Sequence, residues 1–239
     1  MEAKLNPLGD QAIVIELADT ISLDAHERVK QVTNYLDHEN PEWMVEYVPA
    51  FTTVTVFYEP LKICTYITED SPMLPYDWVV DQLKTMLMEL KENEHSEPRT
   101  VKIPVCYGGD LGPDLKIVAD ENGLSEQEVI ERHMNGDYLV YMIGFAPGFP
   151  YIGGMDETIA TPRKDDPRLA IPEGSVGIAG KQTGVYPIET PGGWQLIGRT
   201  PLKLFRPDAE TPSLLKAGDK VIFESITEEE YRTLKEEES

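Results

Sequence analysis

The chain has 239 residues, 41% of them hydrophobic, and carries 21 Lys and Arg against 43 Asp and Glu, a formal net charge of -22. This length suits one large domain or two modest ones with an ordinary globular core, and the acidity argues against nucleic acid as a partner, because a phosphate backbone demands a broad basic face. The opening MEAKLNPLGDQAIVIEL has no basic stretch followed by an apolar run, and nothing approaches the ~18 apolar residues of a membrane span, so a cytoplasmic protein that engages no membrane is expected.

Along the chain, residues 12–17 form a β-branched run that reads as a strand, and Ser22 is placed to cap a helix over 23–37. In that helix Ala25, Val29, Val32 and Leu36 recur with the spacing of one buried face. Residues 43–48 and 52–58 read as a hairpin, and a second helix over 76–91 puts Val79, Leu83, Leu87 and Leu90 on one side. The order β-α-β-β-α implies a two-layer α+β domain with helices on one face of a mostly antiparallel sheet.

The charged, apolar-poor segment KENEHSEPR at 91–99 marks a linker, giving a first domain over 1–95 and a second over 98–239. Val101, Ile103 and Val105 alternate as a strand; Pro113 opens a short helix that stops before Gly123; Ser125 with Glu128 spells a capping box. After Tyr138 short apolar strands are cut by Gly and Pro every few residues, through the turn at 217–219 to a strand over 221–225. That grammar predicts a closed, mainly β barrel, followed by a helix capped by Thr227 and Glu230 that frays into an acidic tail. No internal repeat is visible. Cys64 and Cys106 stand in unrelated contexts without metal-ligand spacing, so neither a disulfide nor a zinc site is expected.

Residues 139–207 hold 11 of the 18 glycines and 9 of the 19 prolines, and balance 7 basic against 6 acidic residues on an otherwise anionic molecule. Dense turns with a local excess of positive charge suit a pocket for a small anion. Within this stretch GFAPGFPYIGG, at 144–154, is either a barrel corner plugged by Phe145, Phe149 and Tyr151 or an aromatic rim facing a ligand. SVGIAGKQTGVYP, at 175–187, is either a solvated turn or an anion-binding nest in which Gly177, Gly180 and Gly184 expose amides beside Lys181 and Gln182. Arg163, Lys164 and Arg168 either pair with Asp165 and Asp166 or reach a carboxylate or phosphate, and Arg199 stands under the same alternative. His133, at the end of a predicted helix whose dipole favours its charged form, is either an exposed cap or a general base. There is no P-loop, no dinucleotide fingerprint and no GxSxG nucleophile.

The run GFAPGFPYIGG, then PR, then IPEGSVGIAGKQTGVYPIETPGGWQLIGRTP closely resembles the KipI family, also called allophanate hydrolase subunit 1 or the 5-oxoprolinase B subunit. The resemblance extends over essentially the whole chain, including CYGG and GPDL at 106–115, and NPLGDQAIVIELADTISLDAH is similar to the bacillus-type members. It implies a small α/β domain followed by a cyclophilin-like barrel. It also implies one component of an ATP-dependent 5-oxoprolinase that opens 5-oxo-L-proline to L-glutamate with two partners, one of the KipA type (the C subunit) and one of the LamB/YcsF type (the A subunit). The alternative it implies is an inhibitor of the autophosphorylation of a sporulation histidine kinase, opposed by the KipA-type partner.

Such a lactamase must bind a carboxylate and stabilise a transferring phosphoryl group, which are tasks for Arg, Lys and fixed amides. On that basis the candidate catalytic groups are His133, Lys181 and Gln182. The candidate substrate- and anion-binding set is Phe149, Tyr151, Arg163, Arg168, Gly180, Gly184, Tyr186, Trp194, Gln195 and Arg199. ATP, with the magnesium its use implies, is expected at a site completed by the partner proteins; no metal ligand is identified in this chain.

Overall fold

In a computed structural model, which describes residues 3–68, 72–90 and 98–238, the chain divides into two compact units, Met1–Ser96 and Glu97–Ser239. The linker expected over 91–99 lies, for residues 91–97, outside the described residues. In the first unit four strands, β1 (Lys4–Pro7), β2 (Ala12–Glu16), β3 (Met44–Pro49) and β4 (Thr53–Tyr58), form an antiparallel sheet of order β1-β2-β4-β3. Alternation along β4 sends Val54, Val56 and Tyr58 into the core and leaves the residues between them half-exposed.

Helix α1 (Leu23–Glu39) begins where Ser22 accepts the amide of Ala25 at 3.1 Å and ends at Asn40 in the left-handed conformation. Its buried Val29, Val32 and Leu36 pack with Val79 and Leu83 of α3 (Pro75–Glu89) in one core; a single-turn α2 (Pro60–Ile63) precedes α3. Strand β1 is only four residues long and ends in a proline, so its alternation of Leu5 and Pro7 is too short to announce it. It is held by the backbone ladder to β2, with Lys4 facing Glu16.

The second unit is built on β5 (Thr100–Tyr107), α4 (Leu115–Asn122), α5 (Glu126–Met134), β6 (Tyr138–Ile143), β7 (Pro150–Gly153), β8 (Arg168–Ile171), β9 (Ser175–Ala179), β10 (Gln182–Val185), β11 (Thr190–Gly192), β12 (Gln195–Arg199), β13 (Lys220–Ser225) and α6 (Glu228–Glu237). Seven of these strands close a barrel in the order β10-β7-β6-β13-β5-β12-β9, while β8 and β11 form a separate ribbon. Both expected capping boxes are present, at Ser125 with Glu128 and at Thr227 with Glu230. Helix α4 starts two residues after the Pro113 that signals it and stops at Gly123. Both cysteines are free, Cys64 exposed and Cys106 buried, and among the described residues no helix is long and apolar enough to cross a membrane.

The barrel interior is mostly aliphatic, and one polar chain of contacts runs through it. His133 is fully buried, its Nδ1 2.8 Å from the Tyr107 hydroxyl and its Nε2 2.8 Å from Thr183 Oγ1. Because Thr183 donates its own proton to the carbonyl of Gly177 at 3.1 Å, its oxygen accepts from Nε2–H, and Nδ1 accepts from Tyr107. Phe223 lies 4.5 Å from the imidazole, ring centre to ring centre, and the Tyr138 hydroxyl donates to the His133 carbonyl. Burial pulls the pKa of His133 down from 6.5 to about 3. The expectation that the α5 dipole favours a charged imidazole is therefore overturned: desolvation in a closed core outweighs a helix-end field worth about 0.3–1 kcal/mol at a surface.

This neutral burial contributes stability that is complete above pH 6.5 and is lost as pH falls from there toward about 3, where the folded protein also takes up the proton. Between pH 7 and pH 4 the loss due to this one residue is about 3 kcal/mol. Urea unfolding of His133→Gln should therefore show a decline over that interval smaller than that of the unaltered protein by about the same amount.

Candidate functional site

The chain between β6 and β7 turns tightly, with the amide of Gly144 donating to the Phe149 carbonyl and that of Phe149 donating to Ala146, both at 3.0 Å. The turn forces Phe145 to a φ of 69°, where bulky side chains are rare, and leaves its ring 70% exposed. Phe149 points the other way and is buried. It meets Phe145, Tyr151, Tyr186 and Trp194 edge to face, with ring centres 5.4–5.8 Å apart. Phe149 thus plugs the corner, as one reading of GFAPGFPYIGG has it, while Phe145 stands exposed at its rim.

These five aromatic residues wall a cavity of about 380 Å³, with Arg163 and Gln182 as its polar groups. Burial pushes the Tyr186 hydroxyl up to about 12 against the opposing pull of Arg163 and Arg168, so it keeps its proton at neutral pH.

The structure redistributes the expected cations. Asp114, at the start of α4, leaves its capping task undone. Its buried carboxylate instead accepts from Arg168 at 2.8 Å and from the amide of Leu196 in β12 at 2.7 Å, with the Lys164 ammonium at 3.5 Å. Burial alone would raise this carboxyl. The bonds from Arg168 and Leu196, with the charges of Arg168 and Lys164, outweigh it and hold the group below its usual 3.8. Gln195 is buried behind the same loop and donates to the Pro162 carbonyl at 3.0 Å. With its two neighbours committed, Arg163 is the cation that lines the cavity.

The anion nest does not form. Gly180 and Lys181 are the two-residue turn between β9 and β10, Gly180 at a φ of 58°, and its amide is committed to the Thr161 carbonyl at 2.8 Å. Gly184 is buried in β10, where a Cβ would stand 3.1 Å from Trp194 and 3.3 Å from Phe149; it admits rings and presents no amide to an anion. Lys181 pairs in solvent with Glu157, Arg199 lies against the Tyr231 hydroxyl of α6, and His133 is inside the barrel.

Of the expected residues, Phe149, Tyr151, Arg163, Gln182, Tyr186 and Trp194 thus meet at one cavity, with Gly184, Arg168 and Gln195 behind its walls. Sequence reasoning missed Asp114, which in GPDL looks like an ordinary helix start. It also missed Gly192 and Gly193, which line the cavity and are signalled only by the PGGW string.

The family model of the carboxyltransferase domain, subdomain C and D, matches residues 3–215. The 5-oxoprolinase B subunit of Bacillus subtilis (strain 168) is 48% identical over 234 residues, 98% of this chain and 97% of that protein. The 5-oxoprolinase B subunit of Escherichia coli O157:H7 is 42% identical over 219 residues, 90% of this chain and 93% of that one. Among solved structures, TTHA0988 superposes with a TM-score of 0.75 at 31% identity over 90% of this chain, which spans 40% of that longer chain.

Removing the charge at the centre of the site's scaffold has a defined cost. Asp114→Asn leaves Arg168 and Lys164 half-buried without their counterion and should lower stability by about 3 kcal/mol at pH 7 in urea unfolding. A depressed carboxyl contributes above its unfolded value and loses that contribution as pH falls through the folded one, so the gap between variant and parent should narrow below about pH 3.8.

Proposed function

The chain belongs to the carboxyltransferase-domain family, subdomains C and D, together with the B subunits of 5-oxoprolinase, and from that membership we propose that it is the B-type component of a cytoplasmic, ATP-dependent enzyme that opens 5-oxo-L-proline to L-glutamate. Its partners in this reading are a KipA-type protein and a LamB/YcsF-type protein. The observation that carries the proposal is an aromatic cavity with one guanidinium and one carboxamide on its wall. 5-Oxoproline is a small flat lactam bearing a carboxylate. Its ring suits the Phe149, Tyr186 and Trp194 walls, its carboxylate suits Arg163, and its amide suits Gln182.

Hydrolysis adds water to the lactam carbonyl and breaks the C–N bond, with the nitrogen taking up a proton; this requires a group that accepts a proton from water. Among the described residues the cavity wall has no carboxylate and no imidazole, so the base is assigned to a partner protein docked at the open side, where Phe145 forms the lip. ATP supplies the activation that a poor amide electrophile needs. One guanidinium and no carboxylate do not suit a triphosphate with its magnesium, and among the described residues no group of three or more His, Cys, Asp or Glu gathers for a metal. Neither is assigned to this cavity, and no step is derived through them.

A second reading, inhibition of a sporulation histidine kinase, is favoured by one observation: Phe145 presents most of an apolar ring to solvent, as a docking anchor would.

In the complex reconstituted from all three proteins, Arg163→Ala should raise the KM for 5-oxoproline about 10–100-fold, the loss expected for a charge-assisted contact, and Gln182→Ala should lower kcat/KM. Lys181→Ala, which removes a solvent ion pair, should leave both unchanged, with all variants assembling normally on size exclusion. Unaltered kinetics in Arg163→Ala would remove the cavity as the substrate site. Loss of kinase autophosphorylation caused by the isolated chain, without glutamate release by the complex, would favour the second reading.

A further inference from the structure

The cations of this acidic chain are mostly neutralised one by one, as in Lys102 with Glu224, Lys116 with Asp120, Lys181 with Glu157 and Lys220 with Asp137. A groove beside the barrel gathers cations more closely. After β12 the chain makes an excursion closed by the amide of Arg206 on the Pro212 carbonyl at 2.7 Å and that of Leu214 on the Leu204 carbonyl at 2.8 Å. Between this excursion and Arg99 runs a groove of about 580 Å³ whose lining includes Arg99, Lys203, Arg206 and Lys216, the hydroxyl residues Thr211 and Ser213, and, among the described residues, no carboxylate.

Two of the four cations are held in place from behind. Arg99 donates to buried Asp219 through Nε at 2.9 Å and through Nη2, which also donates to the Leu214 carbonyl at 2.7 Å; Arg206 pairs with Glu238 just past α6. Lys203 and Lys216 make no ion pair among the described residues, and Lys203 is half-buried. Two unpaired ammonium groups beside two partnered guanidinium groups and two hydroxyls, around one concavity, exceed what a single carboxylate can satisfy. A ligand with several anionic oxygens on adjacent centres matches them.

The surroundings restrict its size. An adjoining groove shares Lys203 and Arg206 but is lined by Glu173, Glu189, Asp208, Glu237 and Glu238, which would repel a long acidic segment leaving the first groove. We propose that the groove lined by Arg99, Lys203, Arg206 and Lys216 binds the polyphosphate group of a small molecule. Its edge is packed against the aromatic cavity: a Cβ on Gly148 would stand 2.9 Å from that of Phe205 and 3.3 Å from the Leu204 carbonyl, so the loop carrying Phe145 and Phe149 rests on the segment that carries Lys203 and Arg206. This assignment rests on the groove's own lining and does not depend on the cavity's substrate.

The test is calorimetric titration of the full chain at low ionic strength with tripolyphosphate, metal-free ATP and inorganic phosphate. Tripolyphosphate should bind more tightly than phosphate, and weaken steeply with added salt. The Lys203→Ala, Lys216→Ala double variant, which breaks no ion pair, should keep its melting temperature and weaken tripolyphosphate binding about tenfold or more. Glu238→Gln, which frees Arg206, should tighten it severalfold, and Lys116→Ala should leave it unchanged. ATP matching tripolyphosphate identifies the phosphate chain alone as the recognised group; ATP binding more tightly adds a nucleoside contact to it. Tripolyphosphate binding no better than phosphate, or binding unmoved in both the double variant and Glu238→Gln, overturns the proposal. Arg163 is untouched throughout, so such a failure leaves the cavity's reading standing.

Discussion

The buried carboxylate of Asp114 is the constraint on which the functional half of the molecule hangs. A charge taken out of water is tolerated when hydrogen bonds and counter-charges meet it, and here one backbone amide, one guanidinium and one ammonium do so. The amide comes from β12 and the cations from the loop before and the start of β8, so the carboxylate fastens α4, the barrel wall and the β8–β11 ribbon at one point. By drawing Arg168 and Lys164 inward it also sorts three neighbouring cations by task. Arg163 is left to face the cavity because the others are occupied.

Strand β10 shows how the barrel and the site share one backbone. Side chains alternate across a strand, so three consecutive residues serve three purposes. Gln182 lines the cavity, Thr183 turns inward to hold the His133 tautomer, and Gly184 gives Trp194 and Phe149 room to pack over the strand. A shift of one residue in the β9–β10 register would bury the carboxamide and expose the hydroxyl, dismantling the core network and the site together. The turn at Gly180 and Lys181, whose glycine and lysine invited an anion-binding reading, serves chiefly to fix that register.

What the sequence made legible is what is encoded locally. Helix caps at Ser22, Ser125 and Thr227 are read from residues three apart, the strands from alternation, and the barrel from the spacing of Gly and Pro. The aromatic members of the site were legible because they cluster in two short strings. The destination of each charge was not: Asp114 meets Lys164, Arg168 and Leu196 across 50, 54 and 82 residues, distances over which composition carries no information. Glycine was ambiguous for a related reason, since an exposed amide and a space left for a ring have the same letter. The strand β1 escaped because its pairing is a backbone matter with almost no side-chain signature.

Phe145 is the residue at which folding and surface chemistry disagree. Its left-handed backbone costs an aromatic residue about 1–2 kcal/mol relative to glycine, and its largely exposed ring returns little beyond one edge-to-face contact with Phe149. Any selection acting on folding alone would drift toward glycine at this position, leaving a smoother and more stable barrel. A phenylalanine held there is a charge against the monomer that is recovered only when the ring is covered. Any surface that covered this ring would therefore find part of its cost already borne by the free chain.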